Sequence, residues 1–184
     1  INTAPYEQKL EIGVRKLPGG LFSDIFLPRL KAGDFLEVMP PTGSFTIMDK
    51  LVTSNSYVFI AAGSGITPII SMIKELLYNN DDAQVTLVYG NRDQASIMFL
   101  EQLQDLKDIY LDRFQLIYML SRESLEHDLF SGRITAERAR EIIQRLVMDF
   151  RQSAYFLCGP EAMVLEIRNM LTGELDIPAT HIHF

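Results

Sequence analysis

Six consecutive residues, Gly63-Ser64-Gly65-Ile66-Thr67-Pro68, have the composition of a turn that can receive a phosphate. Glycine takes backbone angles closed to other residues and lets an anion approach the main chain. A helix beginning there adds free N–H groups and the positive end of its dipole. Tight strand-to-helix turns also use glycine for geometry alone, so the turn by itself leaves both readings open. Its spacing departs from the Gly-x-Gly-x-x-Gly pattern of common dehydrogenases, because Pro68 stands where a third glycine would fall.

A second candidate turn, Cys158-Gly159-Pro160-Glu161-Ala162-Met163, follows another apolar run. A lone cysteine at a strand end is commonly a small buried hydrophobe, and Cys158 carries that reading beside a functional one. Three arginines follow apolar runs: Arg92 in Tyr89-Gly90-Asn91-Arg92, Arg122 in Ser121-Arg122-Glu123, and Arg133 in Gly132-Arg133. A guanidinium fork matches a phosphate monoester, and several converging would suit the adenosine 2′-phosphate of NADP. Solvated loop arginine is the alternative for each alone. The run Gly19-Gly20-Leu21-Phe22-Ser23 could be a further phosphate cradle or only a turn and helix start. His181 and His183 share a face of a terminal strand but have no third ligand nearby in sequence, so no metal site is expected. His127 reads as a surface residue, and no Gly-x-Ser-x-Gly nucleophile elbow occurs.

Positioning these residues requires strands and helices in alternation. Continuous apolar runs at 57–61, 85–89, 114–119 and 155–158 read as strands buried on both faces. Ile69, Met72, Ile73, Leu76 and Leu77 recur at helical spacing. So do Ala139, Ile142, Ile143, Leu146, Val147 and Phe150, led by Thr135 as N-cap. A third stripe, Met163, Val164, Ile167, Met170 and Leu171, has Pro160 at its first helical position. The fold expected is α/β, a doubly wound and mostly parallel sheet, which binds ligands at the carboxyl ends of its strands beside a topological switch point. Before residue 50 the pattern differs. Short extended runs at 9–15 and 35–39 alternate with Pro/Gly turns, and Leu21, Phe22, Ile25 and Phe26 suggest an amphipathic turn or two. This reads as the end of a β domain, giving two units, 1–50 and 51–184.

The 184 residues are 47% hydrophobic and 22% charged, ordinary for a globular protein. A net charge of −7 argues against nucleic acid as a partner and means that cations for a phosphorylated ligand must be placed locally. The single cysteine excludes an internal disulfide and a four-thiolate iron–sulfur site within these residues. No apolar run reaches membrane-spanning length and no signal peptide is evident at the first residues, so a cytoplasmic protein without a membrane partner is expected.

Taken in order, the motifs resemble those of the ferredoxin–NADP reductase family of FAD-dependent electron-transfer proteins. Gly20-Leu21-Phe22-Ser23 resembles its flavin pyrophosphate turn. Ala32-Gly33-Asp34 through Pro41-Thr42-Gly43-Ser44-Phe45 resembles the last strand of its flavin-binding β-barrel and the exit from it. Ala62 to Pro68 is similar to its NAD(P) pyrophosphate turn, Tyr89 to Arg92 and Ser121-Arg122-Glu123 to its adenosine-side segments, and Cys158 to Met163 to its Cys-Gly-Pro-x-x-Met turn beside the nicotinamide. Within the family the chain looks closest to reductase components of multicomponent oxygenases, including the phenylacetate-CoA oxygenase type.

The resemblance implies that a hydride passes from NADPH to FAD and electrons then reach a [2Fe–2S] centre on a domain or partner outside this chain, such as a ferredoxin, and a terminal oxygenase. It implies that Gly63, Ser64, Gly65 and Ile66 hold the pyrophosphate through backbone N–H groups. Thr67 and Cys158 would lie at the reacting edge, where they position rather than react. Pro68, Gly90, Asn91, Arg92, Ser121, Arg122, Arg133, Gly159, Pro160 and Met163 would complete the NADP(H) site, with Gly20, Leu21, Phe22 and Ser23 on FAD. The family's Arg-x-Tyr-Ser flavin motif is absent, as is the continuation into an iron–sulfur domain past His181-Ile182-His183-Phe184. The expectation is therefore a nucleotide domain with a remnant of the flavin barrel. A non-catalytic subunit of the same fold and the reductase domain of a flavohaemoglobin are the alternatives.

Overall fold

A computed structural model describes residues 4–7, 9–40, 42–47, 55–123 and 128–184. His127 and Pro41 lie outside the described residues. Five strands, β1 (Ser56–Ala62), β2 (Gln84–Asn91), β3 (Phe114–Leu120), β4 (Ala154–Cys158) and β5 (Ile182–His183), form one sheet in the order β3-β2-β1-β4-β5. Every pairing is parallel. Helices α1 (Ile66–Asn79), α2 (Leu100–Ile109), α3 (Ala136–Leu146) and α4 (Glu161–Gly173) supply the crossovers.

Alternation along β1 explains why its sequence is apolar throughout. Tyr57, Phe59 and Ala61 pack with residues of α1 and α2 on one face, while Val58 and Ile60 pack with residues of α3 and α4 on the other. All five are fully buried. A side chain of this class stabilises by roughly 1.5–3 kcal/mol when removed from water, so a central strand with two covered faces concentrates the core. The strand order reverses at β1: the chain steps outward to β2 and β3, then crosses to β4 on the other side. Connections leaving β1 and β4 therefore diverge, and a crevice opens at their carboxyl ends.

The predicted strands and stripes agree with these elements to within a residue or two. Thr135 is the N-cap of α3, its hydroxyl accepting from the Arg138 N–H at 3.4 Å. The α3 stripe ends earlier than its periodicity suggests, with Leu146 the last helical residue and Val147 extended. Pro160 stands one position before the first turn of α4, where its carbonyl accepts from the Val164 N–H at 3.1 Å. Helix α2 was not predicted.

Among the described residues before β1 no strand forms, which corrects the expected β-rich segment. The extended runs at 9–15 and 35–39 have no ladder partner, and a strand exists only through pairing. Leu10, Phe35, Val38 and Met39 are accordingly exposed. The amphipathic turn is present as a short wide helical coil, Leu21–Phe26. The segment is fastened to α1 at its start. Lys74, buried on α1, donates to Glu7 at 3.1 Å, and the Tyr6 ring stacks on Tyr78 with centroids 4.1 Å apart.

Candidate functional site

The carboxyl ends of β1, β2, β3 and β4 border one cleft of about 1180 Å³. Gly63, Ser64, Gly65, Thr67 and Pro68 line it from the β1 side, and Cys158, Gly159, Pro160 and Met163 from the β4 side. Gly90, Asn91, Arg92, Ser121, Arg122 and Arg133 close the remaining edge. Fifteen candidates separated along the sequence thus share one cavity. Ile66 does not line it: its side chain is fully buried, and its N–H donates to the carbonyls of Gly63 and Ser64. Gly20 to Ser23 also lie outside the cleft.

The first turn is held by its carbonyl groups. The oxygen of Gly63 accepts from the Tyr89 hydroxyl at 2.9 Å, and that of Ser64 accepts from the Thr67 hydroxyl at 3.1 Å. Both also accept from Ile66. Fixing these negative ends of the peptide dipoles within the protein leaves the cleft side of the turn suited to an anion. Pro68 falls in the first turn of α1, where a backbone N–H would have no partner inside the helix.

The two glycines of this turn serve different needs. Gly63 has φ +54°, the left-handed region that costs a side-chain-bearing residue roughly 1–2 kcal/mol. Gly65 has an ordinary φ of −61°, yet a Cβ there would stand 2.2 Å from the carbonyl oxygen of Cys158 and 3.0 Å from the nitrogen of Gly159. Gly65 lets the two turns pack backbone to backbone across the switch point. Alignment of Ala61 with Cys158 in the β1–β4 ladder holds that contact in register.

Arg15, Arg92, Arg122 and Arg133 line the cleft with one acidic residue, Glu166, so this region opposes the negative balance of the chain as a whole. Glu166 has a structural contact: its carboxylate accepts from the Ala136 N–H at the start of α3, at 3.3 Å. Arg15 is the residue that sequence reasoning missed. It belongs to the 9–15 run, and a Cβ on Gly63 would come 2.9 Å from its Nη1. Gly13 places it there, being packed so closely that a Cβ would meet Thr67 Cγ2 at 2.8 Å and Phe99 Cζ at 2.9 Å. No local pattern announces such a contact, because both sides of it are long-range.

Burial pushes the Cys158 thiol above its ordinary value, so the neutral thiol prevails at neutral pH. A neutral, half-buried thiol is a poor nucleophile and a suitable wall for a planar ring. Tyr89 is likewise pushed up by burial and remains a hydroxyl donor to the turn. Among the described residues there is no group of three or more His, Cys, Asp or Glu side chains placed to hold a metal. His183 packs on the Phe156 ring, with centroids 4.9 Å apart. No helix among the described residues is long and apolar enough to cross a membrane.

The Gly20–Ser23 turn is engaged with its own neighbours. The Ser23 hydroxyl accepts from the Leu17 N–H at 3.1 Å, and Asp24 accepts from the Gly19 N–H at 2.8 Å while pairing with Lys16. The geometry of the cleft suits a dinucleotide, and the Gly20–Ser23 turn stands apart from it.

Residues 59–169 match the family model of the oxidoreductase NAD-binding domain. One subunit of the 1,2-phenylacetyl-CoA epoxidase of Escherichia coli is 37% identical over 175 residues, covering 95% of this chain and 49% of the relative. The ferredoxin reductase component of a Mycobacterium tuberculosis 3-ketosteroid-9-alpha-monooxygenase is 32% identical over 184 residues, covering 98% and 46%. Among solved structures, the CS-b5R domains of human Ncb5or in the NAD+ form superpose with a TM-score of 0.77 at 26% identity, over 92% of this chain and 47% of that one. The chain spans about half the length of the curated relatives it matches.

Proposed function

The chain belongs to the oxidoreductase NAD-binding domain family, of the ferredoxin reductase type, and we propose that it binds NADPH in the cleft between β1 and β4 and presents the nicotinamide to FAD. The observation that carries this reading is the backbone-to-backbone packing of two glycine turns at the switch point of a parallel sheet, with arginines on the same edge.

When bound, the dinucleotide and the flavin supply the hydride and one-electron chemistry. The residues of this chain bind and orient. Gly63, Ser64 and Gly65 receive the pyrophosphate against a turn whose carbonyls are tied elsewhere, and Arg15 adds a cation beside Gly63. Arg92 and Arg122, at adjacent strand tips, take the 2′-phosphate, with Arg133 on the same wall. Thr67 and Cys158 flank the reacting edge, and Gly159, Pro160 and Met163 shape the floor beneath it. Ile66 acts through the fold, by closing the turn with its N–H and anchoring α1 with its side chain. Gly20, Leu21, Phe22 and Ser23 supply the flavin-facing turn.

The kinship with a ferredoxin reductase component and an epoxidase subunit supports an electron route onward to a [2Fe–2S] centre and a terminal oxygenase. The test is calorimetric titration of wild type and Arg122→Ala with NADP+ and NAD+. NADP+ affinity falls about tenfold or more in the variant while NAD+ affinity changes little, as expected for a lost charge-assisted contact. Equal losses for both cofactors would remove the phosphate assignment.

A further inference from the structure

Just past the end of the β2–β3 ladder, two backbone bonds tie the strand tips together. The Ser121 N–H donates to the Asn91 carbonyl at 3.0 Å, and the Arg122 N–H donates to the Arg92 carbonyl at 2.7 Å. Arg92 and Arg122 are therefore carried on neighbouring tips, where like charges repel and no opposing carboxylate among the described residues forms an ion pair with either. These two backbone bonds hold the tips side by side, but they do not reach the loop that follows Arg92.

Glu123 reaches that loop. Its Oε1 accepts from the Gln94 N–H at 2.9 Å, crossing from the β3 tip to the loop after β2. Gln94 opens a 3-10 turn, Gln94–Ser96, which is itself closed by a reciprocal cap. Asp93 accepts from the Ser96 N–H at 2.9 Å, and the Ser96 hydroxyl accepts from the Asp93 N–H at 3.2 Å. Glu123 thus anchors the Arg122 tip to a pre-closed turn whose cap, Asp93, immediately follows Arg92. Its carboxylate is spent on a backbone N–H rather than on either guanidinium.

We propose that Glu123 is a positioning residue for cofactor selectivity, strapping the Arg92 and Arg122 tips at the separation that lets both reach one dianionic phosphate ester. The proposal rests on the reading of that cleft edge as the 2′-phosphate site. Its action depends on reach: the side chain must span the gap between tips and offer an oxygen there. Charge is secondary, because a carboxylate beside a phosphate is unfavourable in itself.

Reach and charge are separable by substitution. Glu123→Gln keeps the length and an acceptor oxygen but removes the charge. Glu123→Asp keeps the charge and shortens the strap by one methylene. The measurement is the ratio of dissociation constants for adenosine 2′,5′-bisphosphate and 5′-AMP, by calorimetry on this chain, with thermal melting as a check of folding. The ratio in Glu123→Asp moves roughly three- to tenfold towards indifference, as losing one charged hydrogen bond implies, with 5′-AMP affinity kept. Glu123→Gln holds the wild-type ratio or sharpens it. A ratio unchanged in Glu123→Asp, or lost equally in both variants, overturns the strap. Arg122→Ala, measured alongside, separates the two levels. If it erases the ratio while Glu123→Asp leaves it intact, the phosphate site stands and the strap is wrong; if it leaves the ratio intact, the phosphate reading falls and the strap with it.

Discussion

Replacing Gly65 by alanine adds one methyl group at the point where the two turns meet. The backbone accepts alanine there, since φ is −61° and ψ is −13°. The obstacle is contact. The new Cβ would stand 2.2 Å from the Cys158 oxygen, 2.6 Å from its carbonyl carbon and 3.0 Å from the Gly159 nitrogen. Carbon and oxygen ordinarily approach to about 3.3 Å, so the turns must part by roughly 1 Å. All three atoms are main chain, so no rotamer change relieves the clash. Pairing of Ala61 with Cys158 restrains any separation. Overpacking of this kind costs about 1–3 kcal/mol, and a displacement near 1 Å at a binding constellation can cost about a hundredfold. The assay pairs thermal unfolding with calorimetric NADP+ titration. Gly65→Ala melts about 3–10 °C lower and binds NADP+ at least tenfold more weakly. Gly173→Ala, at the end of α4 with nothing within 4 Å of its added carbon, is the control and melts no lower than wild type. Wild-type melting and binding in Gly65→Ala would refute the packed-turn geometry.

Other perturbations follow from the same geometry. Arg15→Ala weakens NADP+ and NAD+ alike, by roughly tenfold, because Arg15 stands beside the turn that meets the pyrophosphate common to both; a loss confined to NADP+ would move it to the 2′-phosphate end. Cys158 alkylates slowly at pH 8, since burial keeps its thiol protonated, and saturating NADP+ slows it further; rapid modification unaffected by NADP+ would contradict its place in the cleft wall. Alkali destabilises the fold. Burial pushes Tyr6 and Tyr118 up to about 12, so between pH 10 and about 12 the unfolded chain has released protons that the folded chain retains, and stability falls as pH rises. Urea midpoints at pH 8 and about 11 check this, and an unchanged midpoint would count against the burial of these hydroxyls.

Much of this architecture can be read from local pattern, because continuous apolar runs flanked by amphipathic stripes leave little besides a doubly covered parallel sheet. The stripe of α1 is an example, with Ile69, Met72, Ile73, Leu76 and Leu77 all buried. Helix α2 escaped because it buries only Leu103 and Leu106 of its ten residues, too little to mark a core-facing stripe. The runs before β1 have strand-like composition but no partner strand among the described residues, and pairing is a property of two segments rather than one. The cleft-lining residues on strand ends were legible by position, since each follows an apolar run. Arg15 and the true constraint on Gly65 were not found, because both depend on contacts between residues far apart in the chain. The bonding of the Ile66 N–H was hidden for a related reason. A helix N-terminus offers free N–H groups in principle, but this one is spent on the carbonyls of its own turn.

The location of the dinucleotide is the claim on which the rest depends, and backbone amide NMR during titration with NADP+ tests it most directly. Saturable shifts should concentrate at 63–65 and 158–159, with a second group at 91–92 and 121–122 that is weaker with NAD+. Shifts confined to other faces of the sheet, or none at saturating NADP+, would contradict the account.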